Sequence, residues 1–245
     1  MTRSRVALAG LLALACSVAA GTVTPASDVS RNPAAQDNMT TDQLVILKRT
    51  PAFAAQAQTP EGRKTVQAHI QHLYARGADG TFKVAGPFAD DGEAAGVIIV
   101  DAATPEKALE FESADPIVKA GFVTLEAISF MAPEGWFPGK WGPFGQFDQV
   151  FFGFLVNGPD RTQDQATAGR LQQEHLAYMD GQARDGRLVA AGPITTQGTR
   201  RGIVVYRAAT LDEAKQRASA DPMVKAGRLA VELHQWQVPV GSLPK

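Results

Sequence analysis

The chain has 245 residues, which is enough for one large domain or two small ones. Its 24 basic and 25 acidic residues nearly balance, which argues against a dedicated nucleic-acid-binding protein, because such proteins usually carry a basic excess. A hydrophobic fraction of 44% is ordinary for a globular protein that buries a core.

The N-terminus has the pattern of an export signal. Arg3 and Arg5 precede an apolar run over residues 6–15, and small residues follow. We predict a signal peptide over residues 1–20, and a flexible tether over residues 21–41. The apolar run is too short to span a membrane, so the mature chain is expected to have no membrane span.

Two interpretations of the export signal stay open. Cleavage before Gly21 would release a periplasmic or secreted protein. Alternatively, residues 12–16 loosely resemble a bacterial lipoprotein box, with Ala13 where leucine is preferred, and Cys16 would then carry a lipid anchor. Cys16 is the only cysteine, so the folded part is expected to have neither an intramolecular disulfide nor thiol chemistry.

The rest of the chain repeats itself with an offset of 106 positions. Between residues 66–130 and 172–236, about a third of the aligned positions are identical. An internal repeat of this kind indicates two copies of one structural unit. The recurring blocks are His69 with His175, 85–87 (Ala-Gly-Pro) with 191–193, Asp115-Pro116 with Asp221-Pro222, and 118–121 (Val-Lys-Ala-Gly) with 224–227.

We assign one unit to residues 42–131 and the second to residues 148–238, with a connector over 132–147 and a C-terminal tail over 239–245. Hydrophobic periodicity and capping residues predict strand, helix, strand, strand, helix, strand in each unit. In the first unit these are strand 43–48, helix 60–76, strands 82–88 and 96–102, a helix capped by Thr104, and strand 122–130. In the second they are strand 150–156, helix 165–184, strands 188–194 and 202–207, a helix capped by Thr210, and strand 229–236.

The connector is rich in glycine, proline and large aromatic residues. A solvated linker would not carry five such aromatics, so two alternatives remain: they pack over the seam between the units, or they form the wall of a ligand pocket. The five residues are Trp136, Phe137, Trp141, Phe144 and Phe147.

Four recurring residues are the candidates for chemistry. His69 and Asp115, and likewise His175 and Asp221, lie 46 positions apart. A histidine paired with a carboxylate can act as a general base, because the carboxylate selects the tautomer and stabilises the imidazolium. The alternatives are a purely structural pair, or an aspartate that only caps the turn that follows it.

Other polar residues near these positions are candidates for substrate binding. His72 and Tyr178 occupy equivalent positions three residues after each histidine, on the same helix face, and suit a pocket wall. Lys119 and Lys225 could attract an anionic substrate, or could simply be solvated at a helix end. His234 has Ile128 as its counterpart in the first unit and is interpreted as incidental.

No cofactor or metal is expected from the sequence patterns. The four histidines form no His-x-x-x-His pair, and a Cys-x-x-Cys pair is absent. There is also no glycine-rich phosphate loop after a strand and no Gly-x-Ser-x-Gly elbow. The pocket wall considered above points to a small molecule as the expected partner.

The order of these motifs resembles the YCII-related domain family. The shared features are a helical histidine, the Ala-Gly-Pro block, a strand, a capped helix and Asp-Pro, and they occur over residues 42–131 and again over 148–238. The resemblance implies an α+β fold with a ferredoxin-like βαββαβ unit and an antiparallel sheet. Such units pair into a dimeric α+β barrel, so two copies in one chain are expected to form a pseudo-dimer internally.

The resemblance also implies a His-Asp active site, carried over to His69 with Asp115 and to His175 with Asp221. Characterised relatives include a dehydrochlorinase of chlorinated hydroxyquinols, and the fold is shared with muconolactone isomerase. The chain departs from the usual single-domain, cytosolic form because it is duplicated and carries an export signal. The expected function is a cofactor-independent lyase or isomerase acting on small cyclic or phenolic compounds. The alternative is a noncatalytic envelope protein that binds a ligand or a partner, and a third possibility is that only one copy is active.

Overall fold

A computed structural model describes residues 38–161 and 164–244. The predicted signal peptide, Cys16 and most of the predicted tether lie outside these described residues. Among the helices that the model describes, none is long and apolar enough to cross a membrane.

Each unit contains four strands with helices between them. The elements of the first repeat are β1 (Met39–Arg49), α1 (Pro51–Gln56), α2 (Pro60–Ala78), β2 (Phe82–Pro87), β3 (Ala94–Val100), α3 (Pro105–Glu112), α4 (Pro116–Lys119) and β4 (Val123–Pro133). Those of the second are β5 (Phe147–Asn157), α5 (Gln165–Arg184), β6 (Leu188–Pro193), β7 (Arg200–Tyr206), α6 (Leu211–Ala220), α7 (Pro222–Lys225) and β8 (Leu229–Pro239).

The outer strands are longer than the sequence pattern predicts. Strand β1 begins at Met39, inside the predicted tether, and β4, β5 and β8 extend into segments expected to be connector or tail. These extensions pair β1 with β4, and β5 with β8, along eleven residues each. The short helices α1, α4 and α7 were not predicted, because four to six residues are too few to show a helical period.

The strands of each repeat form one antiparallel sheet, in the order β2-β3-β1-β4 and β6-β7-β5-β8. This order, with the helices in the crossovers, is the ferredoxin-like βαββαβ arrangement. The expected α+β fold with two such repeats is therefore confirmed.

The two sheets join at both pairs of edges. Phe88, directly after β2, bridges Trp236 in β8, and Phe130 in β4 bridges Ile194, directly after β6. Backbone hydrogen bonds of 2.9 Å support both seams, from Ala89 N–H to the Gln235 carbonyl and from Thr195 N–H to that of Ser129. The eight strands thus close into a barrel within one chain, which is the pseudo-dimer expected from the repeat.

The central strands are buried on both faces. In β1, Leu44 and Ile46 belong to a core that contains residues of both sheets, whereas Val45 and Leu47 pack in the layer beneath the helices of the first repeat. Because neighbouring strand residues point to opposite faces, both the barrel interior and the helix layer need apolar side chains from one strand. This explains why residues 44–47 of β1 are all apolar.

The glycine of each Ala-Gly-Pro block lies where the sheets meet. A Cβ atom on Gly86 would lie 1.7 Å from the carbonyl oxygen of Gln237, and one on Gly192 would lie 1.8 Å from that of Met131. The Gly86 carbonyl also accepts a 2.9 Å hydrogen bond from the indole of Trp236. The block therefore recurs because a side chain at this position would hold the seams apart.

His234 contributes to one of these seams. Its ring stacks on Phe88 at 4.3 Å between centroids, and its Nδ1 lies 2.8 Å from Asp90 Oδ2. Burial opposes ionisation of Asp90, but hydrogen bonds from His234 and from Gly92 N–H outweigh it and hold the pKa of Asp90 below its ordinary value. His234, interpreted from the sequence as incidental, thus joins the second repeat to the first.

We predict that Gly86→Ala and Gly192→Ala each lower the free energy of unfolding by about 2 kcal/mol or more, because a backbone carbonyl cannot move aside without breaking the seam. Urea unfolding followed by circular dichroism measures this loss. Gly169→Ala is the matched control, because a Cβ on this exposed helical glycine meets nothing within 4 Å. It should leave stability unchanged or raise it by up to about 1 kcal/mol. Equal effects at the seam and control positions would contradict the explanation.

Candidate active site

The Asp-Pro motif fixes a buried carboxylate at the start of a short helix. Asp115 has extended backbone geometry (φ −61°, ψ 133°), as the proline after it requires, and its Oδ1 accepts a 2.9 Å hydrogen bond from Ile117 N–H. Asp221 does the same for Met223 N–H at 2.8 Å. Both aspartates are almost completely buried, so the second carboxylate oxygen needs a donor within the protein.

A histidine on the long helix of each repeat supplies that donor. His69 Nδ1 lies 2.6 Å from Asp115 Oδ2, and His175 Nδ1 lies 2.5 Å from Asp221 Oδ2. The aspartate therefore both caps the turn and orients the histidine, so the two interpretations left open by the sequence are true together. Because Nδ1 carries the proton shared with the carboxylate, Nε2 is left as the basic nitrogen.

The first repeat has a cavity of about 400 Å³ beside His69. It lies between α2 and the sheet, and Gln237 and Pro239 at the end of β8 form part of its wall. The wall is mostly apolar and includes Leu47, Val66, Ile70, Leu73, Ile98 and Ile117. A volume of this size is in the range of small-molecule sites.

Two further polar residues line this cavity. The hydroxyl of Tyr74 is buried and has no hydrogen-bond partner among the described residues, while the side chain contributes to the wall. Arg49 donates to the carbonyl oxygens of Asp90 at 2.8 Å and Ala94 at 2.7 Å, and also to that of Gly92. Its guanidinium thus brings a positive charge to an otherwise apolar wall.

The connector covers the cavity as well as the seam. Trp141 and Phe147 line the cavity, whereas Phe137 is buried in the barrel core against Phe130. Trp141 donates from its indole nitrogen to the Lys83 carbonyl at 3.2 Å. Different connector aromatics therefore pack into the barrel core and line the cavity, and the binding of a ligand there stays a prediction.

Gly77 on α2 makes room for Trp141. A Cβ atom at this position would lie 2.4 Å from the Trp141 side chain. The equivalent residue of the second repeat is Ala183. The first repeat thus has a specific adaptation that lets the connector indole close its cavity.

The corresponding histidine of the second repeat is sealed. His175 has no exposed surface, and its Nε2 is buried without a hydrogen-bond partner in the described part of the chain, whereas the side chain of His69 is 15% exposed. Tyr206 is fully buried in the helix layer of this repeat, where the first repeat has Val100. The two His-Asp pairs make the same hydrogen bond, but only the histidine of the first repeat is partly exposed.

The remaining predicted binding residues lie away from the cavity wall. Tyr178 donates its hydroxyl to the Arg217 carbonyl at 2.7 Å, and His72 contacts the ring of Phe82 at 5.9 Å between centroids. Lys119 and Lys225 are exposed at the ends of α4 and α7. None of the four belongs to the cavity lining described above, so their role in substrate binding stays a prediction.

The structure also identifies residues that the sequence argument missed. Tyr74 and Arg49 line the cavity, and Glu112 lies near Asp115. Selecting residues that occur in both repeats discards all of them, because features of a single repeat do not recur. The polar groups that could hold a metal are His72, Glu112 and Asp115, which are considered below.

The model of the YCII-related domain matches residues 43–131 and 153–237. The chain belongs to the YCII-related domain family. The two matches coincide with the two βαββαβ repeats, so this YCII-related protein is a tandem form of the domain. No curated protein matches the chain.

Solved structures with a similar fold include chlorite dismutases from Candidatus Nitrospira defluvii. A mutant of that enzyme is 11% identical and has a TM-score of 0.52, over 81% of this chain and 91% of the enzyme. The complex of the enzyme with imidazole is 13% identical, with the same TM-score and the same coverage. At these identities the likeness shows the fold of this YCII-related protein and not its activity.

Because His69 is partly exposed and His175 is fully buried, we predict that their substitution lowers the free energy of unfolding by different amounts. We expect His175→Ala to lower the free energy of unfolding by about 2–4 kcal/mol, because it leaves a void and a buried carboxylate without its donor. His69→Ala should cost about 1 kcal/mol, because the adjoining cavity lets water replace the lost donor. Urea unfolding of both variants measures the difference, and equal losses would show that the two sites are equally closed.

Proposed function

We propose that the cavity of the first repeat binds a small, largely apolar molecule and that His69, oriented by Asp115, transfers a proton to or from it. The observation that carries the proposal is that His69 lines the cavity while its Nδ1 is held by a buried carboxylate. The reaction class is that of a cofactor-independent lyase or isomerase acting on small cyclic or phenolic compounds.

The proton transfer can be written from the geometry. His69 Nε2 removes a proton from a C–H or O–H group of the bound molecule, and Asp115 stabilises the imidazolium that forms. The electron pair left on the ligand then either expels a leaving group, which gives elimination, or takes the proton back at another atom, which gives isomerisation. The positive charge of Arg49 lies in the same wall and favours an anionic intermediate.

The second repeat is assigned a structural role in this proposal. Its histidine and aspartate form the same hydrogen bond, but His175 has no exposed surface from which Nε2 could reach a ligand. This corresponds to the third possibility raised by the sequence, that only one of the two copies is active. The two copies are not equivalent even though the histidine and the aspartate recur.

A second candidate function is noncatalytic ligand binding. The sealed pair of the second repeat favours it, because it demonstrates that a His-Asp pair can serve this fold by capping a turn and tying it to the long helix. On this hypothesis the cavity binds a ligand, and His69 contributes only to its wall.

The experiment separates the two candidates in two steps. Phenols, lactones and small carboxylic acids are first screened by thermal shift, and a true ligand should stabilise the wild type and lose its effect in Trp141→Ala, which removes part of the cavity wall. Deuterium incorporation into that ligand in D₂O is then followed by NMR. His69→Gln should retain binding and lower the exchange rate by about 10²–10⁴-fold.

The matched control is His175→Gln, assayed below its melting temperature, which should exchange as fast as the wild type. Unchanged exchange in His69→Gln would rule out the catalytic role. Binding without any exchange in the wild type would favour the noncatalytic function.

We also propose that the protein acts outside the cytoplasm. The support is the sequence of residues 1–20, in which Arg3 and Arg5 precede an apolar run and small residues. Expression of the full chain in a bacterium, followed by fractionation and intact-mass measurement, tests this. We expect mature protein that begins at Gly21, or at a lipidated Cys16. Unprocessed protein in the cytoplasm would contradict the proposal.

A further inference from the structure

A second polar cluster lies behind the His69–Asp115 pair. His72 on α2, Glu112 at the end of α3 and Asp115 each offer one ligand atom, and these atoms lie within 4.8 Å of one another. The cluster joins α2 to the turn between α3 and α4. It lies outside the cavity lining, apart from its contact with His69 through Asp115.

Glu112 is the most unusual member of the cluster. Its side chain is fully buried, and neither carboxylate oxygen accepts a hydrogen bond from a donor within residues 38–161 and 164–244, so its hydrogen-bonding neighbour is another carboxyl group, that of Asp115. Burial, together with the negative charge of Asp115, raises the pKa of Glu112 well above its ordinary value. A buried carboxylate with no donor is very unfavourable unless it holds a proton or a cation.

His72 presents the matching nitrogen. Its Nε2 is buried and has no partner among the described residues, while its ring packs edge-on against Phe82. Imidazole nitrogens are common metal ligands, so this unpartnered nitrogen is suited to coordinate a cation.

Asp115 can join such a site without giving up its other bonds. Its Oδ1 accepts from Ile117 N–H and its Oδ2 accepts from His69 Nδ1, and each carboxylate oxygen has a second lone pair. A cation bound here would have His69 as the outer partner of one of its ligands. Hydrogen-bonded partners of this kind commonly orient metal ligands.

The second repeat lacks two of the three ligands. Tyr178 and Ala218 stand at the positions of His72 and Glu112, and only the aspartate recurs, as Asp221. The Tyr178 hydroxyl is satisfied by the Arg217 carbonyl. The second repeat therefore adopts the same fold without a buried acidic residue at the position of Glu112. The cluster is a feature of the first repeat.

We propose that His72, Glu112 and Asp115 form a binding site for a divalent transition metal ion, of which Zn²⁺ is the best match. One imidazole and two carboxylates are ligands that Zn²⁺ accepts, and three protein ligands leave a fourth position open. The bound ion would replace the proton that Glu112 otherwise needs, and would hold the α3–α4 turn against α2. This proposal goes beyond the proposed function and does not depend on it, because no ligand or turnover is required.

The site arises without a metal-binding sequence motif. No metal was expected, because the sequence has no His-x-x-x-His or Cys-x-x-Cys pair. His72 lies 40 residues before Glu112, and only the fold brings them together.

The test uses ZnCl₂ alone as the probe. Protein stripped with EDTA is titrated with Zn²⁺ by calorimetry at pH 7, and the metal retained after dialysis is measured by mass spectrometry. We expect one Zn²⁺ per chain in the wild type. Glu112→Gln and His72→Gln should each weaken binding at least tenfold, and Co²⁺ bound in place of Zn²⁺ should show visible absorption that both variants lose.

Two controls keep the result clear. The double variant His72→Tyr with Glu112→Ala copies the residues with which the second repeat folds, so it should fold normally by circular dichroism and bind no Zn²⁺. His234→Gln removes a histidine outside the cluster and should bind as the wild type does. A wild type that retains no Zn²⁺ would overturn the proposal and leave a proton on Glu112. Undiminished binding in both single variants would also overturn it, because the metal would then lie elsewhere.

Discussion

The edges of an isolated antiparallel sheet carry unpaired backbone groups, and in this protein each sheet uses the other to cover them. The bridges Phe88–Trp236 and Phe130–Ile194 turn two four-stranded sheets into one closed barrel. Closure is possible because Gly86 and Gly192 let the strands approach more closely than a side chain would allow. The common core, the burial of both faces of the central strands and the position of the β8 end beside the cavity all follow from it.

The two repeats share the same fold and the same His-Asp pair, but the residues around the pair differ. Both repeats keep the Asp-Pro turn and its bond to a helical histidine, because a buried carboxylate must be satisfied wherever it stands. Around that bond the repeats differ: the first has Gly77, Tyr74 and Glu112, whereas the second has Ala183, Asp180 and Ala218. The first consequently has a cavity on one side of the pair and carries a buried acid on the other. A single chain can change one half in this way without losing the partner edge that closes the barrel.

Most of the fold followed from local patterns. The helices α2, α3, α5 and α6 and all eight strands were predicted near their true positions, because their apolar periods and capping residues act over a few residues. The strand ends were underestimated, since Met39 and Pro133 lie at the end of a pairing that only the folded chain makes. For the site, the spacing of His69 and Asp115 indicated a pair, and the structure shows their hydrogen bond. His72 was chosen because it lies three residues after His69 on the same helix face, and Lys119 because its charge follows the Asp-Pro motif. Neither lines the cavity described above, so their role in substrate binding stays a prediction.

The amino-acid sequence was enough to establish the duplication, the βαββαβ plan of each unit, the family and the His-Asp pairs, because these depend on short-range patterns that occur twice. Tertiary structure decided that His69 meets a cavity while His175 is fully buried, since access to His69 depends on Trp141, Phe147 and Gln237, which lie far from it in the chain and have no recurring motif. It also decided that Glu112 and His72 face one another across two helices. Burial and access are properties of the packed chain, and two copies of one motif can therefore differ in what they do.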